Sequence, residues 1–397
     1  MEKFEFTALL ASLANLDCNR DRMLYFAKNL YHLEDFQMIY VDEEKGLDKT
    51  LHIKEFASLD FEKNSLYYSN RLVCVNSNVI INAIDSKDTV LGNQILLTLD
   101  SQIASEFNPS QSLHRDSDFT KTMEKMLKSG ICNFDIGPYI IESILREDEN
   151  APSKQMVLET IKNFELAFPD RIGAITIDQR MHEVKTYYYG GGFKGIRKRM
   201  WLDYQECYLY LLTMVYINQR YRGKSASAKL ENFLDYCAEK IGKLDTYSNN
   251  LAKLYFENQN LLFFRKVNGT NKEIFKNLKN MAWDVYHLKS LVKMAVHSLL
   301  PDDVIFIPIL LSKDKGLNEI RQAFQIKCLI YNMHTRRNVY QGLKMSVVKY
   351  GDKLWQKFYR PELVELRLKR HFNVKKCVDG IENLIITELG GGFSLCR

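Results

Sequence analysis

Apolar residues are distributed along this chain in two ways. Short unbroken runs alternate with longer stretches in which they return every third or fourth position. The clearest runs are Gln94-Ile95-Leu96-Leu97-Thr98-Leu99, closed by Asp100, and Val304-Ile305-Phe306-Ile307-Pro308-Ile309-Leu310-Leu311, which leads into the turn Ser312-Lys313-Asp314-Lys315-Gly316-Leu317. Runs of this length predict strands buried on both faces. Helical spacing covers 1–35, where Leu9, Leu10, Leu13 and Leu16 share a face that Met23, Phe26, Leu30 and Leu33 continue after a turn at Asn19-Arg20-Asp21. Residues 36–90 read as strand-rich: Phe36-Gln37-Met38-Ile39-Tyr40-Val41 precedes the turn signal Asp42-Glu43-Glu44-Lys45-Gly46, and 66–84 offers further strands.

Residues 94–107 read as strand then helix, and 119–129 as a helix ending at Gly130. A helix is expected from Pro138, since the missing N–H of proline costs little in a first turn. Further helices are expected at 153–168, 201–220, 225–242, 245–266, 271–298 and 316–323, with a strand at 171–178. Tyr187-Tyr188-Tyr189-Gly190-Gly191-Gly192 reads as a loop, and 338–372 as a basic helical stretch before a short tail.

A chain of 397 residues exceeds one ordinary core and suggests two or three domains. The pattern places an N-terminal α+β module at 1–90. An α/β domain follows at 91–330, with a helical insertion at about 151–270, and a helical extension at 331–397. With 46% hydrophobic and 26% charged residues, the composition is that of a folded protein and argues against extensive disorder. The net charge of +6 permits a polyanionic partner but suits an ordinary, slightly basic enzyme equally well. The cysteines lack Cys-x-x-Cys pairs and zinc-ligand spacing, which predicts free thiols in a reducing, cytoplasmic setting. Neither a signal-peptide pattern nor an apolar run long enough for a membrane span is present.

Strands that deliver a carboxylate at their C-terminal ends are how an open α/β sheet builds a site, because ligands bind beyond those ends. Asp100 and Asp314 occupy such positions. Each also fits a simpler role, capping the helix that follows for about 1 kcal/mol. Asp284, in Asn280-Met281-Ala282-Trp283-Asp284-Val285-Tyr286, sits between Leu278, Met281, Leu288 and Leu291, at the edge of an apolar helix face. Glu142, in Pro138-Tyr139-Ile140-Ile141-Glu142, would complement the dipole of its helix.

Taken in order, Asp100, Glu142, Asp284 and Asp314 resemble the acids of the PIN-like nuclease superfamily. There one acid follows the first strand, a second lies on an early helix, a third on a late helix, and a fourth follows the fourth strand. The resemblance covers roughly residues 92–330. Ser312 stands where that family more often has threonine, and Glu206, in Tyr204-Gln205-Glu206-Cys207-Tyr208, competes with Glu142 for the second place. The resemblance implies a central parallel sheet flanked by helices. It also implies four carboxylates as ligands of Mg²⁺ or Mn²⁺, and phosphodiester cleavage to a 5′-phosphate and a 3′-hydroxyl. Clustered carboxylates repel, and a hard cation relieves that repulsion with oxygen ligands. One ion, or two about 4 Å apart, can orient and acidify a water and stabilise the leaving oxygen.

Lys194, Arg197, Lys198 and Arg199 follow the glycine triplet and, with the adjacent tyrosines, offer phosphate contacts and flat rings for base stacking. Arg336 and Arg337 form a further basic cluster. Each cluster alone is usually a solvated face; together they are expected to rim the acids and hold a polyanion. His287, one turn after Asp284, reads as a helix-face histidine or as an aid to proton transfer. Neither a P-loop frame nor a Gly-x-Ser-x-Gly elbow occurs.

The expected function is metal-dependent nuclease action on nucleic acid, RNA ahead of DNA, in RNA turnover or as a toxin-like defence effector. A homo-oligomeric or protein partner is compatible with it. The alternatives are a non-catalytic nucleic-acid-binding or assembly protein on an α/β core, and a scaffold with no nucleic-acid role.

Overall fold

The computed structural model describes residues 9–10, 12–13, 16, 19–41, 62–67, 72–85, 92–107, 132–146, 151–168, 176–268, 273–296, 304–348 and 351–389. The strands described are β1 (Phe36–Val41), β2 (Glu62–Ser65), β3 (Leu72–Val75), β4 (Gly92–Leu99), β5 (Cys132–Asp135), β6 (Val304–Ser312), β7 (Ile326–Asn332) and β8 (Arg337–Leu343). They form two sheets, ordered β3-β1-β7-β8 and β2-β6-β4-β5. The first is antiparallel throughout. In the second, β5, β4 and β6 run parallel and β2 lies antiparallel on the outside of β6. The protein is therefore mixed α/β with a three-stranded parallel core. The sheets are joined where Tyr67, just past β2, bridges to Ile326 of β7.

Strand pairing crosses the expected boundaries near 90 and 330. β2 belongs to the sheet that carries β4 and β6, while β1 and β3 pair with β7 and its hairpin partner β8. Both faces of the antiparallel sheet are covered, because its strands alternate apolar side chains to either side. Met38, Tyr40, Val75 and Ile330 pack under the helix Asn19–Lys28 with Phe26 and Leu33. Ile39, Val41, Leu329 and Tyr331 face the main core.

The helix Lys194–Arg220 is the axis of the helical part, with every residue from Glu206 to Asn218 buried. A helix buried on all sides belongs in the interior. The helices Ile274–Val296 and Val374–Leu389 pack along it, and the Ile274–Val296 helix also lies against β6.

Several elements differ from the sequence expectation. A helix runs from Ile177 to Tyr189, entered through a capping box between Thr176 and Gln179; of the strand expected at 171–178, residues 171–175 lie outside the described residues. The three tyrosines therefore end a helix and do not form a loop. A Cβ on Gly190 would sit 2.2 Å from the Thr186 carbonyl oxygen, so only glycine allows the chain to leave the helix this tightly. The next long helix begins at Lys194, which places the basic run in its first turns. The helix expected at 225–242 is Ala226–Tyr236 plus one wider turn closed by Gly242 in the left-handed region, φ 79°. That expected at 245–266 stops at Glu257, and Leu262–Val267 is a separate 3-10 turn. The stretch 338–372 is not one helix: it opens with β8 and continues as the short helices Lys353–Phe358 and Pro361–Leu368. The supposed short tail holds a four-turn helix, Val374–Leu389. The helix expected at 119–129 lies outside the described residues.

Candidate functional site

The parallel strands set the stage. β4 and β6 pair in register from Gly92 with Val304 to Leu99 with Leu311, and the Asp100 N–H continues the ladder by donating to the Leu311 carbonyl at 3.0 Å. Both strands thus end at the same level. From β4 the chain goes on to β5 on one side, and it returns later to β6 on the other. Such a reversal opens a crevice beyond the strand ends.

Asp100 and Asp314 stand at that crevice, and both cap helices. Asp100 Oδ1 accepts from the Ile103 N–H at 2.9 Å, starting the turn Ser101–Ala104. Asp314 Oδ1 accepts from the Gly316 N–H at 2.7 Å, starting Lys315–Ile320. Ser312 holds this turn through its Oγ, which accepts from the Asp314 N–H at 2.9 Å. Capping engages Oδ1 in each case, so it does not exhaust either carboxylate.

Glu142 reaches the crevice from the helix Gly137–Leu145, and Asp284 from the middle of Ile274–Val296. The Ser101 hydroxyl donates to Glu142 Oε2, and Arg146 donates to Oε1 at 3.2 Å. His287 Nε2 is 3.7 Å from Glu142 Oε2. Its residue is only 4% exposed, and the nitrogen has no hydrogen-bond partner among the described residues.

The electrostatics tie the four acids together. Burial pushes the Asp284 carboxyl well above its ordinary range, and Asp314, Glu142 and Asp100 push it further, against a small opposing pull from Lys266. Burial also raises Asp100, with Ser312, the Ile103 amide and His287 acting against it. Glu142 moves the other way: burial would raise it, but His287, Ser101 and Arg146 outweigh burial and hold it below the usual range. Neighbouring acids with opposed shifts are a recurring feature of sites that move protons or hold cations.

Four contributors were not among the sequence candidates. Ser101, Arg146 and Lys266, whose Nζ lies 4.0 Å from Asp314 Oδ2, come together only through the fold. Asp135, which ends β5 and accepts from Thr98 Oγ1 at 3.2 Å, repeats the strand-end signal of Asp100. Glu206 is not at this site. It pairs with Lys243 and lies near Lys289 in a cleft elsewhere. The basic candidates also divide. Lys194, Arg197 and Lys198 are exposed on the first turns of their helix, whereas Arg199, Arg336 and Arg337 line the cleft that holds Glu206. The expected single cationic rim is thus split: Arg199 and the β7–β8 turn line the cleft of Glu206, apart from Lys194, Arg197 and Lys198.

Among the described residues, no group of three or more His, Cys, Asp or Glu side chains is arranged to hold a metal ion as it stands. The four carboxylates act on one another through space without closing on a common point. No helix among the described residues is long and apolar enough to cross a membrane. The chain matches no family model, no curated protein and no solved structure.

Proposed function

We propose that the chain is a divalent-cation-dependent nuclease with a PIN-like catalytic domain, acting on RNA. The observation that carries this reading is the placing of Asp100 and Asp314 at the ends of the paired parallel strands β4 and β6, with Glu142 bonded to Ser101 beside Asp100 and with Asp284 close enough for burial and the other three acids to raise its carboxyl. Repulsion of this kind costs stability, and a hard cation with oxygen ligands removes it. His287 Nε2, buried 3.7 Å from Glu142 Oε2, makes no direct hydrogen bond among the described residues, which fits a further polar group at the same place.

Mg²⁺ or Mn²⁺ would supply Lewis acidity and an acidified water. Asp100, Glu142, Asp284 and Asp314 would hold it, the two capping aspartates retaining their helix bonds through Oδ1. His287, Ser101 and Arg146 keep Glu142 ionised. Lys266, exposed beside Asp314, is positioned to meet a phosphate oxygen. Lys194, Arg197 and Lys198 would engage more distant phosphates.

The second reading, a non-catalytic nucleic-acid-binding protein, is favoured by one observation: the carboxylates do not enclose an ion as they stand. Incubation with labelled RNA and DNA, in Mn²⁺ or in EDTA, separates the two. Mn²⁺-dependent cleavage that Asp284→Asn abolishes supports the nuclease. Binding that survives EDTA, with no cleavage in Mn²⁺, supports the binding protein. Absence of binding even at low salt contradicts both.

A further inference from the structure

The first turns of the helix Lys194–Arg220 have two distinct sides. At about 100° of rotation per residue, Lys194, Arg197, Lys198, Trp201 and Gln205 fall along one of them. Arg199, Asp203 and Glu206 fall on the opposite side, which lines a second cleft with Asp245 and Lys289. The first side runs from exposed cations into a pocket of about 370 Å³, near the lower end of the range for small-molecule sites. Trp201, Gln205, Lys279 and Asn280 line this pocket, together with Arg146 and Glu382.

The pocket adjoins the acidic crevice. Arg146, in its lining, donates to Glu142 Oε1 at 3.2 Å. Asn280 stands one turn before Asp284 on the same helix. A ladder of rings joins the two places: the Trp201 and Tyr204 centroids lie 5.2 Å apart, Tyr204 and Trp283 4.0 Å, and Trp283 and His287 6.0 Å. Tyr204, Trp283 and His287 are buried. Trp201, the outer member, is partly exposed, and Tyr204 is its one ring contact among the described residues. The Gln205 and Asn280 side-chain amides make no hydrogen bond among the described residues, and Lys194, Arg197, Lys198 and Lys279 have no ion-pair partner there. Glu382 is already engaged, accepting from the Tyr208 hydroxyl at 2.6 Å.

We propose that the RNA is held single-stranded, with one base seated in this pocket against Trp201 and the adjoining phosphates on Lys194, Arg197 and Lys198. This names the substrate class of the acidic crevice and rests on the nuclease reading. The exposed part of the indole supplies a flat surface for stacking, which every base accepts. The Gln205 and Asn280 amides and the Lys279 ammonium meet the polar edge of the base. The three cations along the same helix side follow the backbone away from the pocket. A duplex keeps its bases inside the stack and has none to offer Trp201, so it loses the pocket and retains only the cations.

The test is fluorescence anisotropy in EDTA with a labelled single-stranded RNA dodecamer, the same sequence as a duplex, and a heparin fragment as competitor. The single strand should bind on the order of tenfold more tightly than the duplex, and Trp201→Ala should remove that preference. Trp201→Phe, which keeps a ring, should restore most of it. Arg197→Gln and Lys198→Gln should each lower the slope of log affinity against log salt by about 0.7. Lys276→Gln, at an exposed cation outside the pocket, should change nothing. Should Trp201→Ala fail to fold, Gln205→Ala carries the test, with a smaller loss for the single strand alone. Equal binding of single strand and duplex overturns the proposal, as does equal competition by heparin, or native affinity in both Trp201→Ala and Gln205→Ala with unchanged thermal melts. Cleavage in Mn²⁺ is scored separately. Cleavage of both RNA forms that ignores Trp201→Ala leaves the nuclease and removes the pocket; Trp201-dependent binding of the single strand without cleavage leaves the pocket and removes the nuclease.

Discussion

His287 Nε2 points at Glu142 Oε2 from 3.7 Å and has no hydrogen-bond partner among the described residues. At this distance its clearest effect is electrostatic and falls on its neighbour. Together with Ser101 and Arg146 it overcomes burial and keeps Glu142 ionised. His287→Gln should let the Glu142 carboxyl rise. The acid limb of the pH profile for Mn²⁺-dependent cleavage should then move to higher pH. An acid limb that stays in place would rule out this role for His287.

Asp284 makes the cation-free protein pH-sensitive in an unusual direction. Its carboxyl is raised in the folded chain, so the folded state binds the proton more tightly than the unfolded state does. That stability is fully present below the ordinary carboxylate range of about 4 and is lost as pH rises through the folded value. The melting temperature in EDTA of the native chain minus that of Asp284→Asn should therefore fall from about pH 4, the ordinary carboxylate value, upward. Mn²⁺ should stabilise the native protein more at high pH than at low. Glu142 has the opposite sign, contributing stability above its ordinary range that is lost in acid. A difference between the native and Asp284→Asn melting temperatures that stays constant with pH would contradict the Asp284 environment.

Asp314 serves two roles that substitution can separate. Asparagine can still cap through its side-chain oxygen, whereas alanine cannot. Asp314→Asn should leave urea unfolding nearly unchanged and abolish cleavage. Asp314→Ala should also lower stability by about 1 kcal/mol. Full cleavage by the asparagine variant would show Asp314 to be a cap alone.

The strand ends were legible because β4 and β6 are apolar runs closed by polar turns, and burial on both faces writes itself directly into sequence. Helices with an apolar stripe, such as Ile274–Val296, were legible for the same reason. The β7–β8 hairpin was not. Residues 337–343 are exposed or half-buried on an outer strand, where pairing to β7 decides the conformation and side-chain pattern carries little information. The last helix was recoverable, since Val374, Val378, Ile381 and Ile385 return at helical spacing and are buried. The Thr176 to Gln179 capping box announced the helix at Ile177 as well. Of the candidate site, the four acids could be named in advance from their places at strand ends and on helices. Ser101, Arg146 and Lys266 could not, because only the folded chain brings them to Glu142 and Asp314. Arg199 lines the cleft of Glu206 and Lys194, five residues before it on the same helix, does not, which could be weighed only once the helix start at Lys194 is known.

The buried pair Asp245 and Lys289 holds the floor of the second cleft. Burial would raise the Asp245 carboxyl, but Lys289 and the Ser248 bonds hold it below its usual range. Asp245 also caps Thr246–Glu257 through the Ser248 N–H at 2.9 Å. Asp245→Ala removes the nearer partner of a buried ammonium, leaving Glu206 at 4.0 Å, and removes a cap, so chemical denaturation should report a loss of roughly 3 kcal/mol, the lower end for a broken buried pair. A loss no larger than that of an exposed ion pair would mean that water reaches Lys289 freely.

Titration of Mn²⁺ into the metal-free protein bears most directly on a cation shared by Asp100, Glu142, Asp284 and Asp314. The account predicts a saturable site in the native chain that vanishes in Asp284→Asn while the fold is kept. Equal Mn²⁺ binding by the two proteins, or none by the native chain, would contradict it.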